Sequence, residues 1–209
     1  QKALRLNEEF VKDILHDFNT PISSMIINLK LFKREIGDNQ KIQRLENNIQ
    51  SILSLQDNLR IFLKGVPAQS ERFSLKDLVQ NRVHYFEVLY PDVKYKMVID
   101  KTMLETNKDA FIRILDNLLS NAGKYNIVNG DVNIVLEGSH LRIQDTGKGI
   151  KNPSKVFDRY YKEQDRGIGI GLHIVKKLCD ELTIPISIQS KKNKGTQIKL
   201  NLSNLIFSK

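Results

Sequence analysis

The stretch His16-Asp17-Phe18-Asn19-Thr20-Pro21 decides how the chain is read. It lies inside a run in which Phe10, Ile14, Phe18, Ile22, Met25, Leu29, Phe32 and Ile36 recur at steps of three and four. That spacing predicts one apolar stripe along one long helix. His16 falls off the stripe, so its imidazole is expected in water. Asp17 is its neighbour, and Thr20 lies one turn further on the same side as His16. Pro21 lacks a backbone donor and crowds the carbonyl of Asp17, so the helix is expected to bend or loosen just beyond the histidine. Three roles compete for the ring: an ordinary surface histidine, a metal ligand, or a nucleophile oriented by the adjacent carboxylate. No second His or Cys stands at ligand spacing, which counts against a metal.

Outward from this stretch, composition sets limits. At 209 residues the chain can hold one large domain or two modest ones. It has no apolar run long enough to span a bilayer. It begins at Gln1 rather than Met, which leads us to expect a piece of something longer. Its single cysteine, Cys179, sits in an apolar helical context and cannot form an internal disulfide, which fits a reducing compartment and a core position. The net charge of +9 comes from scattered residues. The densest run, Lys191-Lys192-Asn193-Lys194-Gly195, reads as a solvated hairpin turn. With no zinc-finger spacing and no aromatic-rich basic motif, no nucleic-acid partner is expected. An anionic membrane surface or an acidic partner makes better use of the charge.

The first helix should run from about Leu4 to Ile36, with Gly37-Asp38-Asn39 as its stop. A second stripe follows at Ile42, Leu45, Ile49, Ile52, Leu59 and Leu63, with Leu55 or Gln56 at the intervening step. Two long helices joined by a short turn make an antiparallel hairpin, and a second copy would cover its remaining apolar face in a four-helix bundle. The alternative is that the stripe packs on the rest of the same chain. Gly65 to Ser70 reads as a linker, giving a hairpin over 1–64, a linker over 65–70 and a second domain over 71–209. Within the last, Ser74 is expected to cap a helix to about Leu89, ended by Pro91. A strand follows at Tyr95 to Ile99, then a helix from Asn107 to about Tyr125. Val132 to Leu136 and Leu141 to Gln144 read as a strand hairpin, Gly169 to Leu182 as a helix. Ile184 to Gln189 and Thr196 to Leu202 read as closing strands. This mixture predicts an α+β domain, a sheet with helices on one face.

Three clusters could carry chemistry. Asn117, Asn121 and Lys124 fall at i, i+4 and i+7 on one helix face, and two carboxamides with an ammonium can hold a hydrated Mg²⁺ and phosphate oxygens. An ordinary polar stripe is the alternative. Asp145-Thr146-Gly147-Lys148-Gly149 follows a strand, where a carboxylate can accept from an exocyclic amine such as that of adenine. Gly167-Ile168-Gly169-Ile170-Gly171-Leu172 leads straight into a helix, which makes a phosphate cradle, though of neither Rossmann nor P-loop spacing. Phe157-Asp158-Arg159-Tyr160-Tyr161-Lys162 and the polar segment to Arg166 lie between the last two and suggest a lid over a nucleotide.

Together these motifs resemble the catalytic core of the bacterial two-component sensor histidine kinases, over nearly the whole chain. His16-Asp17-x-x-Thr20-Pro21 is similar to the H box, with Asn19 where Arg is usual. Asn117-x-x-x-Asn121-Ala122-x-Lys124-Tyr125 is similar to the N box. Asp145-x-Gly147-x-Gly149 and Gly167-x-Gly169-x-Gly171-Leu172 resemble the two glycine boxes, and Phe157 to Tyr161 resembles the F box. The resemblance implies a dimerising helical hairpin followed by an ATP-binding α/β sandwich of the gyrase–Hsp90–histidine kinase–MutL type. It implies ATP and Mg²⁺ as ligands, with Asn121 on the metal, Asn117 and Lys124 near the phosphates and Tyr125 along the nucleotide. Asp145 would receive the adenine amine, with Gly147 and Gly149 beside it. Gly167, Gly169, Gly171 and Leu172 would wrap the phosphates. Lys162 stands where relatives often carry an arginine near the γ-phosphate, and a lysine there keeps the charge without the bidentate fork.

The resemblance further implies autophosphorylation of His16 assisted by Asp17, then transfer to an aspartate of a response-regulator receiver domain. Asp17 and Thr20 match the pattern by which relatives dephosphorylate the regulator. Such a chain is expected to be the cytoplasmic part of an inner-membrane sensor, meeting the membrane only through segments absent here. Two rivals are weighed. A non-catalytic ATP-binding scaffold usually lacks the H-box histidine or N-box asparagine, both present here. A gyrase-type ATPase needs a carboxylate to activate water, and Asn117 occupies that place, with Asp116 pointing off the Asn117–Asn121 face.

Overall fold

The structure is a computed structural model that describes residues 2–64, 69–158, 161 and 171–207. Side chains of residues 2–16, 47, 51, 54, 55 and 57–64 lie outside the description. The chain divides into two compact units, Gln1–Gly65 and Val66–Lys209, each described by itself. Of the expected linker, residues 65–68 lie outside the described residues.

The first unit is a helical hairpin of α1 (Lys2–Ile36) and α2 (Gln40–Lys64). Gly37 turns the chain at φ 76°, in the left-handed region that ends helices without steric cost. Asn39 then caps α2: its Oδ1 accepts from the backbone N–H of Lys41 at 2.9 Å and of Ile42 at 3.1 Å. The seam is built from Ile22, Leu29, Ile42 and Ile49, with Ile26 and Leu53 packed against it. The expected stripe is therefore split. Phe18, Met25, Phe32 and Ile36 of α1, and Leu45 and Ile52 of α2, stay exposed, because two helices alone cover only a narrow seam of each other. At the step where Leu55 and Gln56 competed, Gln56 is buried. α1 continues through Pro21.

The second unit holds a five-stranded sheet ordered β2-β4-β5-β7-β6. Its strands are β2 (Lys94–Val98), β4 (Asp131–Glu137), β5 (His140–Asp145), β6 (Ile186–Ser190) and β7 (Thr196–Asn201). Among the described strands only the β2–β4 pair is parallel, and the connection between them carries β3 (Met103–Thr106) and α4 (Lys108–Lys124). A separate ribbon pairs β1 (Glu71–Ser74) with β3, Phe73 opposite Leu104. Period-2 alternation buries Val132 and Ile134, Leu141 and Ile143, and Ile198 and Leu200 on one face. That side is apolar, and three helices supply its counterpart. α3 (Leu75–Leu89) buries Leu75, Leu78, Val79, Val83 and Phe86. α4 buries Phe111, Ile114, Leu115, Leu118 and Leu119. α5 (Gly171–Glu181) buries Ile174, Val175, Leu178 and Cys179. Ser74 caps α3 as expected, its Oγ accepting from Asp77 N at 3.2 Å. Cys179 is core, and burial pushes its thiol up to about 12, out of reach of thiolate chemistry.

Candidate active site

α4 starts at Asn107, whose Oδ1 accepts from Ala110 N at 2.9 Å, and its apolar face locks against the sheet. This rotation leaves Asn117 and Asn121 half-buried and Lys124 exposed on the other side. The Asn117 carboxamide is oriented by its own helix, with Nδ2 donating to Arg113 O at 2.9 Å. Its oxygen then faces the first residue of α5: a Cβ placed on Gly171 would stand 2.9 Å from Asn117 Oδ1. The end of the second glycine box therefore lies directly on the first asparagine of the N box. Asp116 points elsewhere, as expected. It takes Arg82 of α3 in a two-pronged pair, Nε to Oδ1 at 2.5 Å and Nη2 to Oδ2 at 3.0 Å. A gyrase-type carboxylate is thus not supplied by Asp116.

α4 ends at Tyr125, and the Lys124 ammonium lies 5.0 Å from the centroid of the Tyr125 ring. The first glycine box is pressed onto this end. Lys148 N donates to Tyr125 O at 3.1 Å, and a Cβ on Gly147 would approach that same oxygen to 2.4 Å. Asp145 closes β5 with its Oδ1 held by two backbone donors, Gly147 N at 2.8 Å and Thr196 N at 3.2 Å. Burial pushes its carboxyl above the usual carboxylate range, and these two N–H bonds pull the other way.

Gly195 and Thr196 belong to the site, and nothing in the motif reading singled them out. A Cβ on Gly195, at φ 85°, would strike Asp145 O at 2.0 Å. Ser190 Oγ accepts from Ile150 N at 2.8 Å, donates to Gly195 O at 2.9 Å and meets Thr196 Oγ1 at 2.9 Å. Asn193 N donates to Lys148 O at 2.6 Å. The lysine-rich turn is solvated as expected, Lys191 to Lys194 being exposed between β6 and β7, and its backbone is also the floor under Asp145. A Gly-Thr pair opening a strand was the available signal.

The remaining site residues divide between described and not. Gly171 and Leu172 sit half-buried at the start of α5. Phe157 is half-buried, and its carbonyl accepts from His173 Nδ1 on α5 at 2.9 Å, which ties the two flanks of the expected lid. Lys162, Gly167 and Gly169 lie outside the described residues, as does the side chain of His16. Asp17 and Thr20 are exposed on α1, and Thr20 shares a shallow groove with Asn19, Ser23, Ser24 and Ile27. Among the described residues no three His, Cys, Asp or Glu side chains converge as a metal cage. A hard ion that keeps most of its waters and takes one amide oxygen suits Asn121, so the donor set fits Mg²⁺ brought in with a polyphosphate.

A sandwich with a polar helix face, Gly171 at a helix start and a carboxylate on backbone donors fits a nucleotide-binding class. Residues 106–205 match the family described as histidine kinase-, DNA gyrase B-, and HSP90-like ATPase, and residues 6–64 match the His Kinase A (phospho-acceptor) domain. The chain belongs to the bacterial two-component sensor histidine kinases. It is similar to sensor histidine kinase YvrG of Bacillus subtilis, 27% identical over 226 aligned positions that take in 96% of this chain and 39% of that protein. It is also similar to signal transduction histidine-protein kinase ArlS of Staphylococcus aureus, 24% identical over 223 positions, 96% of this chain and 49% of that protein. The chain thus spans less than half the length of these relatives. In fold it resembles full-length ShkA, solved in complex with AMPPNP, with a TM-score of 0.67 at 16% identity over 96% of this chain and 46% of that one.

Proposed function

We propose that the chain phosphorylates itself on His16 with ATP and passes the phosphoryl group to an aspartate of a response-regulator receiver domain. The observation that carries this is the convergence of Asn117, midway along α4, on Gly171, and of Tyr125, at the C-terminal end of α4, on Gly147 next to Asp145. Along the C-terminal half of α4, a phosphate site at Asn117 and a base-recognising carboxylate near Tyr125 would suit a nucleoside triphosphate. ShkA, of the same fold, holds the ATP analogue AMPPNP.

In the proposed step, His16 Nε2 attacks the γ-phosphorus in line. The N–P bond forms as the bond to the β-bridging oxygen breaks and ADP leaves. Asp17 orients the ring through Nδ1–H and accepts that proton, which keeps the attacking nitrogen nucleophilic. Lys124 offsets phosphate charge, and Mg²⁺, when bound at Asn121, supplies further charge neutralisation. Asp145 holds the adenine amine, with Thr196 and Gly195 fixing its direction. Asp17 and Thr20 hold a water for the reverse task, dephosphorylation of the regulator. The exposed Phe18, Met25, Phe32 and Ile36 argue for a second copy of the hairpin packed on the first. No described helix is long and apolar enough to cross a membrane. Use of ATP and of a receiver domain would suit work in the cytoplasm. The test is incubation with γ-labelled ATP. Alkali-stable, acid-labile label that disappears in His16→Gln supports the reading; label retained in that variant overturns it.

A further inference from the structure

The seam of the hairpin is apolar from Ile42 and Ile49 to Leu53 on α2 and from Leu29 to Ile22 on α1. One turn beyond Leu53 stands Gln56, 7% exposed, the buried polar side chain of this unit among the described residues. One turn before Ile22 stands Asn19. The two meet at the solvent edge of the seam, the buried Gln56 Nε2 donating to Oδ1 of the exposed Asn19 at 2.7 Å. A buried carboxamide in an otherwise hydrocarbon interface adds little net stability. It does penalise other registers, because sliding or rotating either helix breaks this bond while Gln56 stays desolvated. Single polar pairs of this kind set register in helical bundles.

The place of this bond gives it a consequence for the reaction. Asn19 follows His16 by one helical turn and precedes Pro21, where α1 lacks the bond to the Asp17 carbonyl. The missing bond loosens the turn from Asp17 to Thr20, which includes Asn19, so the tie clamps that weakened turn to α2. The family's usual arginine at this position has no acceptor and could not take a bond from Gln56 Nε2. We propose that Asn19 and Gln56 are positioning residues for phosphorylation: their hydrogen bond fixes the rotation and height of the His16 turn against α2, so that the imidazole is presented in one orientation. This rests on the reading of His16 as the phosphoryl acceptor.

The test uses the whole 209-residue chain. Gln56→Leu keeps the buried volume and deletes the donor. The exchange Asn19→Gln with Gln56→Asn moves one methylene across the seam and keeps the reach of the pair. Gln56→Leu is expected to melt no lower than the unchanged protein, to hold its KM for ATP within about twofold and to lose about tenfold in phosphorylation rate at saturating ATP. The exchange is expected to return most of that rate. A Gln56→Leu rate equal to the unchanged protein, or an exchange variant as slow as Gln56→Leu, overturns the proposal. Amide hydrogen exchange over residues 15–20 gives a readout free of activity: faster exchange in Gln56→Leu, reversed in the exchange variant, supports the tie, and unchanged protection overturns it. Absence of label in the unchanged protein would sink the kinase reading alone, with hydrogen exchange still deciding the tie.

Discussion

The side-chain oxygen of Asn117 faces the α-carbon of Gly171, so closely that a methyl group there would come within 2.9 Å of it. This juxtaposition joins the N box to the start of α5 without a side chain between them. Gly171→Ala must push the Asn117 carboxamide aside or shift the helix start. Alanine is itself the better helix former, so the fold should not suffer. The expected outcome is an unchanged or slightly raised melting temperature with ATP affinity about tenfold weaker, equivalent to one hydrogen bond. Isothermal titration with a non-hydrolysable ATP analogue, alongside a thermal melt, checks both halves.

Asp145 carries a second separable pair of effects. Burial raises its carboxyl pKa above the ordinary value of 3.8, against the bonds from Gly147 and Thr196. A raised folded pKa means that the folded state holds the proton more tightly than the unfolded chain. The stability contribution is therefore present at low pH and is lost as pH rises through the folded pKa. Asp145→Asn removes the buried charge and keeps an oxygen for the two N–H donors. The free protein should be as stable or more stable, by up to about 1 kcal/mol. Nucleotide affinity should fall about 10- to 100-fold, the loss of a charged acceptor. In the unchanged protein, affinity should decline on acidification from a higher pH than an ordinary aspartate would give.

What could be read from the sequence follows from what is local. The α4 face was legible because Asn117, Asn121 and Lys124 repeat at helical spacing. β4, β5 and β7 were legible because Val132, Ile134, Leu141, Ile143, Ile198 and Leu200 alternate. β1 and β3 were not, since four residues each, Glu71–Ser74 and Met103–Thr106, give alternation no room to show. Gly195 and Thr196 were missed for a different reason. Their role is a backbone approach to Asp145, some fifty residues away, and a lysine-rich turn looks the same in sequence whether it floats or supports. In the hairpin, spacing placed Phe18 and Ile22 on one stripe, but only packing decides that Ile22 is covered and Phe18 is not.

Gly195 also yields a stability contrast. At φ 85° any side chain is strained, and its Cβ would meet Asp145 O at 2.0 Å, a backbone atom that cannot swing away. Gly138, at φ 59°, has nothing within 4 Å of its Cβ position. Gly138→Ala should cost about 1–2 kcal/mol, the left-handed penalty alone. Gly195→Ala should cost at least about 3 kcal/mol, strain and overlap together. Urea denaturation of the two variants measures the difference. Equal midpoints would show that the floor under Asp145 gives way more easily than its geometry implies.

The Arg82–Asp116 pair separates scaffold from chemistry on α4. Burial raises the Asp116 pKa, and the guanidinium, through its charge and its bonds, opposes that rise. Arg82→Met keeps the packing of α3 against α4 and leaves the carboxylate with burial as the dominant influence. Its folded pKa should climb further, so stability should be retained at acid pH and fall as pH rises through that higher value. Both side chains are about a quarter exposed, which reduces the penalty from that of a fully buried charge to about 2 kcal/mol at neutral pH. Asp116→Asn in the same background removes the charge and should recover most of the loss and flatten the pH dependence. Because Asp116 faces α3 and not Asn117, the double variant should bind ATP with near-normal affinity. Loss of nucleotide binding in that well-folded double variant would place Asp116 in the chemistry and reopen water activation by this carboxylate.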